Sequence, residues 1–212
     1  MKLLTMILAL SLFLIAGCAG KVEYTPPASS YKVSNTLIVN KPKNDVWKQV
    51  ITALGGSFFV INNMDKESGF LNVSYSGDPE NYVDCGQLYS YVKNARGERE
   101  YRFSGSKSYV QYETFEKGQQ LMFINRKMDL DGRVNIVISD IDKDTTSISV
   151  NTKYIVTKII DMRAPNGASG HMNDSISFTT NGRAQFPNVE TACAATGVLE
   201  TDILNMLTQN IK

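Results

Sequence analysis

The sequence predicts an α+β fold, in which a mostly antiparallel sheet packs against two helices. Residues from Gln120 to Lys158 alternate apolar and polar side chains, as half-buried antiparallel strands do. Two segments, one in each half of the chain, carry apolar side chains at helical spacing. An apolar stripe on a helix needs a surface to cover, and one face of the sheet supplies it.

The first predicted unit is a strand followed by a helix and a hairpin. Thr36–Val39 is a short strand, and a helix capped by Asn44 runs from there to about Leu54. Val46 and Val50 begin the apolar stripe of that helix. The hairpin then comprises strand Phe58–Ile61, turn Asp65–Gly69 and strand Phe70–Tyr75.

The segment from Ser76 to Lys117 is rich in aromatic residues but shows no clear period. Tyr101–Phe103 and Tyr109–Phe115 are predicted as strands within it. The meander that follows has strands separated by turns with Asp and Gly. It comprises strand Gln120–Met128, turn Asp129–Gly132, strand Arg133–Ser139, turn Asp140–Thr145 and strand Thr146–Lys158.

The last part of the chain is predicted as loop, strand, irregular segment and helix. Residues 161–174 are rich in Gly, Asn and Ser and predict a loop, and Ser175–Thr179 adds a strand. Residues 180–196 show no period. Val198–Ile211 predicts an amphipathic helix, with Glu200 and Asp202 in its first turn, where the helix dipole favours negative charge.

The N-terminus predicts export. One basic residue, Lys2, precedes an apolar run from Leu3 to Ile15, which is too short to span a bilayer. Leu14–Cys18 resembles the bacterial lipobox, which implies cleavage before Cys18 and acylation of that cysteine. Two or more acyl chains would anchor the protein stably. The alternative is an ordinary secreted protein with a chance cysteine at the cleavage site.

Three segments follow from this interpretation: a signal peptide at 1–17, a lipidated N-terminus with a flexible linker at 18–34, and one domain at 35–212. Pro26-Pro27 and Ser29-Ser30 indicate the linker. Ala19 is not the aspartate that retains lipoproteins in the inner membrane, which implies the outer membrane. The expected side of that membrane is its periplasmic face.

The net charge argues against nucleic-acid binding, and the cysteine content predicts a disulfide. The chain has a formal net charge of +1, which gives no electrostatic footprint for nucleic acid. Export places Cys85 and Cys193 in an oxidising compartment, so we predict a disulfide between them. The alternatives are two free buried thiols, or a catalytic Cys85 with His171 and Asp174.

The sequence predicts no enzyme, no metal and no cofactor. Cys and His residues do not cluster at the spacing that zinc sites use. Asp140–Asp144 begins like a calcium loop, but Thr145 and Asn151 occupy the positions that need glycine and glutamate, which favours a charged hairpin tip. No phosphate-binding glycine motif is present.

The strand-to-helix entry Asn40–Trp47 and the Asp65–Gly69 turn resemble a helix-grip domain, in which a sheet curls around a helix. Among bacterial lipoproteins, the chain is similar to the BamC-like (NlpB-type) accessory lipoproteins of barrel assembly. The predicted anchor, the near-neutral charge and the absence of catalytic clusters favour a non-enzymatic scaffold that docks other envelope proteins. The alternative is a module that binds an apolar small molecule or lipid between sheet and helix. The candidate ligand or partner residues are Trp47, Phe59, Tyr154, Tyr89 and Tyr91.

Overall fold

The computed structural model describes residues 19–27, 31, 34–116, 120–187 and 191–211. Strands make up 61% of it and the two helices 14%, so the fold is β-rich with large sheets. The predicted α+β class, and the helix-grip-like architecture that went with it, are therefore wrong. The reason is that much of the aromatic segment 76–117, and much of residues 161–196, form strands where the sequence indicated loops.

Thirteen strands and two helices follow one another in the described part of the chain. Their bounds are β1 Ala19–Thr25, β2 Thr36–Val39, α1 Lys43–Gly55, β3 Val60–Asp65, β4 Phe70–Gly77, β5 Val83–Asp84, β6 Gln87–Asn94, β7 Gly97–Ser104, β8 Tyr109–Glu116, β9 Gln120–Asp142, β10 Thr145–Arg163, β11 Ser169–Thr179, β12 Arg183–Gln185, β13 Ala192–Ala195 and α2 Val198–Asn210. Every strand pair is antiparallel.

The central sheet is built around the long hairpin β9–β10. Its strand order is β11-β10-β9-β4-β3, with β2 also pairing with β10 and β8 with β9. Strand β9 therefore has different neighbours along one edge: β8 beside residues 120–127, and β4 beside residues 130–137. We call residues 130–142 of β9 with 145–156 of β10 the helix-covered half, and residues 120–129 with 157–163 the β8-side half.

The predicted turn at Asp129–Gly132 does not form, because β9 runs straight through it. Asp129 pairs with Thr157 of β10, and the register stays unbroken beyond it. Leu130 is buried on the inner face of the sheet, between two aspartates whose side chains alternate to the outer face. A Cβ on Gly132 would lie 3.2 Å from Leu199, so this glycine serves close packing and not a turn.

The two helices cover the inner face of the helix-covered half. Val46, Val50 and Leu54 of α1 are fully buried, as the predicted stripe requires. Helix α1 begins one residue before the predicted cap, so its N-cap is Pro42 and not Asn44, and no side chain caps it. Helices α1 and α2 also contact each other.

Two small sheets complete the fold, with strand orders β1-β6-β7 and β12-β13-β5. Strand β1 lies in the segment that the sequence assigned to a flexible linker, and that assignment is wrong for residues 19–25. Its register with β6 runs from Ala19 opposite Lys93 to Thr25 opposite Gln87. Small or apolar residues at 20, 22 and 24 alternate there with charged ones, but the pattern is too short to distinguish from a linker.

The predicted disulfide between Cys85 and Cys193 is confirmed. Both cysteines are fully buried, and the bond joins Cys85, the residue after β5, to strand β13, across a sequence separation of 108. The thiol alternatives, including a catalytic Cys85, are thereby excluded for the oxidised chain.

Candidate functional site

Three of the predicted ligand-contact residues, Trp47, Phe59 and Tyr154, belong to the core between the sheet and the helices. Trp47 and Tyr154 are both buried within the main apolar cluster. The Tyr154 hydroxyl donates a hydrogen bond to Glu200 Oε2 at 2.6 Å, and its ring stacks on Phe178. Burial, and then the nearby Glu200 carboxylate, raise the pKa of Tyr154 above its ordinary value.

Glu200 departs from the expected role of a first-turn acid at the surface of a helix. It is fully buried, and its second oxygen accepts a hydrogen bond from the Thr180 hydroxyl at 2.7 Å. A buried carboxylate is costly unless its oxygens are paired, and here both are. This carboxylate links α2 to β10 and to the turn after β11.

Tyr89 and Tyr91 lie on the outer face of the β1-β6-β7 sheet. The Arg102 guanidinium lies 4.1 Å from the centre of the Tyr89 ring, as a cation–π contact. Glu23 of β1 and Arg102 of β7 flank Tyr89, while Lys21 and Glu100 flank Tyr91. Each ring therefore lies between one acidic and one basic side chain.

A groove of about 560 Å³ opens between the C-terminal end of α1 and the exposed side of α2. We call it the aromatic groove. Its lining residues are Thr52, Ala53, Gly56, Ser57, Phe58, Phe59, Tyr82, Asp202, Asn205, Met206, Gln209 and Asn210. Of the predicted contact residues, only Phe59 lies here, and it is mostly buried.

Phe58 is the most exposed aromatic side chain of this groove, with 65% of its surface accessible. Its ring lies 4.4 Å from that of Phe59 and 5.9 Å from that of Tyr75, which contacts Tyr82 at 5.0 Å. Four rings thus form a continuous cluster, and three of them, Phe58, Phe59 and Tyr82, line the groove. A large exposed aromatic side chain on such a cluster is typical of interaction sites.

Asp202 supplies the negative charge of the aromatic groove. Desolvation raises the pKa of its carboxyl, and the nearby Tyr82 hydroxyl lowers that pKa by a smaller amount. Asp202 is nonetheless exposed, so a cationic group of a partner can reach it. The groove therefore favours an apolar segment that carries a basic residue.

A second groove, of about 720 Å³, lies on the outer face of the β8-side half. His171 is on β11, where its Nδ1 lies 2.7 Å from Asp161 Oδ1 of β10. Beside this pair, Gln111 donates to Asn125 at 2.7 Å. In the alternative of a catalytic Cys85, His171 would act with Cys85 and Asp174, but Cys85 is in the disulfide and Asp161 is the acid that His171 contacts.

Sequence reasoning missed most of the aromatic groove and two buried basic residues. Phe58, Tyr82 and Asp202 come from separate segments, so no local pattern connects them. Arg126 and Lys158 differ, because both occupy apolar-facing positions of strands that the sequence predicted. A basic residue at an inward position was a signal available in the sequence.

The predicted lipidation site, Cys18, and the predicted signal peptide at 1–17 lie outside the described residues. Within the described ranges, none of the helices is long and apolar enough to cross a membrane. Those ranges also contain no group of three or more acidic, His or Cys side chains placed to bind a metal ion. The Asp140–Asp144 segment forms the tip of the β9–β10 hairpin.

No family model matches this chain. No curated protein matches it either.

Proposed function

We propose that this chain is a lipid-anchored protein of the bacterial outer membrane that docks other envelope proteins and catalyses no reaction. The exposed aromatic groove is the single observation that carries the docking role. The lipobox-like segment at 14–18 supports the anchor, and the disulfide fits an oxidising compartment outside the cytoplasm. The division into segments 1–17, 18–34 and 35–212 remains part of this proposal, except that residues 19–25 form β1.

The proposed anchor joins the fold without a spacer, because β1 begins at the residue after Cys18. Gly20 of β1 lies against the ring of Phe115, and Phe115 pairs with Leu121 near the start of β9. Acyl chains on Cys18 would therefore hold the β8-side half next to the membrane.

The aromatic groove lies farther along the central sheet. Its Tyr82 contacts Tyr75, which pairs with Gly132 of β9. At about 3.3 Å per residue, the strand from Leu121 to Gly132 spans about 35 Å. The groove thus lies away from the anchored end of the sheet. A protein of the periplasm can therefore reach the groove.

The groove fits a protein segment with apolar side chains and one basic residue. Phe58, Phe59 and Met206 offer the apolar contact, and Asp202 offers the charge. Buried aromatic anchors surrounded by polar groups are the usual source of binding energy at protein interfaces. Thr52, Asn205 and Gln209 supply that polar rim.

Site-specific photocrosslinking in intact cells tests the docking site. A benzoylphenylalanine at position 58 should capture a defined envelope protein, while the same residue at position 141 should not. Ile141 is the matched control, because it is 55% exposed and lies at the tip of the β9–β10 hairpin. Asp202→Lys should abolish the capture, and Asp140→Lys, at the same hairpin tip, should leave it unchanged. Equal capture from both positions, or capture that survives Asp202→Lys, would refute the docking site.

Fractionation tests the anchor separately. Cys18→Ser should remove the chain from the membrane fraction. A mass spectrum of the wild-type chain should show acyl chains on residue 18. The double variant Cys85→Ser/Cys193→Ser is the control, since it loses two cysteines and should stay membrane-bound. Retention of Cys18→Ser in the membrane, or a mature product without acyl mass, rules out lipid anchoring.

A further inference from the structure

Two basic side chains are buried together beneath the β8-side half. Arg126 of β9 and Lys158 of β10 are each only 1% exposed. Arg126 pairs with Ile160, so Lys158 is its diagonal neighbour on the same inner face of the sheet. Two adjacent cations are thus removed from water at one place in the fold.

Their hydrogen-bonding and charge partners are incomplete. Arg126 Nη2 donates to the carbonyl oxygen of Gly105, but Arg126 Nη1 has no partner. The Lys158 ammonium lies 4.1 Å from the centre of the Phe186 ring. Among the described residues, neither cation has a carboxylate within ion-pair distance, and Asp174, opposite Lys158 on β11, acts only at longer range.

Burying like charges without a counter-charge is unfavourable, because each ion loses its hydration and the two repel each other. Burial lowers the pKa of Lys158 to about 8, and that of Arg126 to about 10. One carbonyl and one aromatic ring cannot replace the hydration of two ions. An unsatisfied guanidinium nitrogen is also a donor that requires an acceptor.

We propose that a small monovalent anion, of halide size, binds between Arg126 Nη1 and the Lys158 ammonium. The anion would accept from both groups and cancel most of their repulsion. A small ion is required because both side chains are almost inaccessible to solvent. The site lies inside the fold, so its role is to stabilise the junction of the sheets.

Thermal unfolding in chloride and in gluconate at equal ionic strength tests this site, because gluconate is too bulky to enter. Chloride at ten times its dissociation constant should raise the midpoint of the wild-type chain by about 3–6 °C. Lys158→Met and Arg126→Met should lose this difference. Lys153→Met is the matched control, since Lys153 is an exposed lysine on the outer face of the same strand, and it should keep the full difference.

Bromide soaking gives a second measurement that needs no variant. The anomalous signal of bromide should appear between Arg126 and Lys158 in crystals of the wild-type chain. A water molecule at that position, together with equal midpoints in chloride and gluconate, would overturn the proposal. The bromide result decides the matter even where a variant fails to fold.

Discussion

Side chains alternate between the inner and outer faces along the whole β9–β10 hairpin, but the inner faces of its two halves differ in composition. In the helix-covered half, the inner face carries fully buried aliphatic residues such as Ile136, Ile148 and Val150, and α1 and α2 pack on it. In the β8-side half, the same face carries Arg126 and Lys158.

Apolar packing differs accordingly. The helix-covered half belongs to one large core cluster, which also takes in Met128, whereas the rest of the β8-side half contributes only Met122 and Ile124 to a separate small cluster with Ala164. The alternation of side chains along a strand decides which residues face inward. The chemistry of those residues then decides which other elements can pack on that face. One continuous strand can therefore support a packed core at one end and a polar interior at the other.

Removing the disulfide should have the largest effect, and it should act on the helix-covered half. Cys85 and Cys193 both belong to the large core cluster, and their bond closes a loop of about a hundred residues. A double Cys→Ala variant should lose about 4–5 kcal/mol of unfolding free energy in chemical denaturation. Hydrogen exchange should show that residues 130–138 lose protection before residues 122–128. The opposite order would mean that the β8-side half depends more on the disulfide.

Truncating one isoleucine in each half should separate the two interiors directly. Ile136→Ala leaves a cavity in the large cluster and should cost about 4 kcal/mol, while Ile124→Ala in the small cluster should cost about 2 kcal/mol. Both residues lie on the inner face of β9 and are almost fully buried, so each is the control for the other. Equal losses in urea unfolding would contradict the distinction.

Titrating Lys158 should reveal the electrostatic cost of the β8-side half. Its pKa of about 8 in the folded chain is lower than in the unfolded chain, because burial and Arg126 outweigh the attraction of Asp174. The unfolded state therefore binds more protons between pH 8 and 10.5, and stability rises with pH over that window. In gluconate, the wild-type chain should gain up to about 3 kcal/mol relative to Lys158→Met between pH 7 and 10.5. The difference in unfolding free energy between the wild-type chain and Lys153→Met should not change over this pH range. If the difference for Lys158→Met is also independent of pH, Lys158 is not a buried group with a lowered pKa.

Local periodicity was enough to predict the helices and the strand β10. Helix α1 extends one residue beyond each predicted end, and α2 begins at Val198 as predicted. The alternation from Thr146 onward gave the correct faces for β10, although the strand continues to Arg163. These patterns succeed because each is carried by consecutive residues of one element.

Features that depend on distant partners could not be predicted in this way. The Asp-Gly signal at 131–132 indicates a turn locally, but β4 and β10 pair with these two residues on the two edges of β9 and hold them extended. Strand β1 exists because of β6, whose pairing residues follow some seventy positions later. The disulfide was predictable because the predicted export and lipidation of Cys18 left two cysteines, which allow one pairing.

The start of β1 also determines how the protein would respond to mechanical force. Seven residue pairs hold β1 against β6, beginning at Ala19. Tension along the strand would stretch these pairs together in shear, whereas tension across it would unzip them one after another from Ala19. An acylated Cys18 would transmit any force from the bilayer to the hydrogen bonds between β1 and β6. The direction of that pull would then decide whether the small sheet resists or peels away.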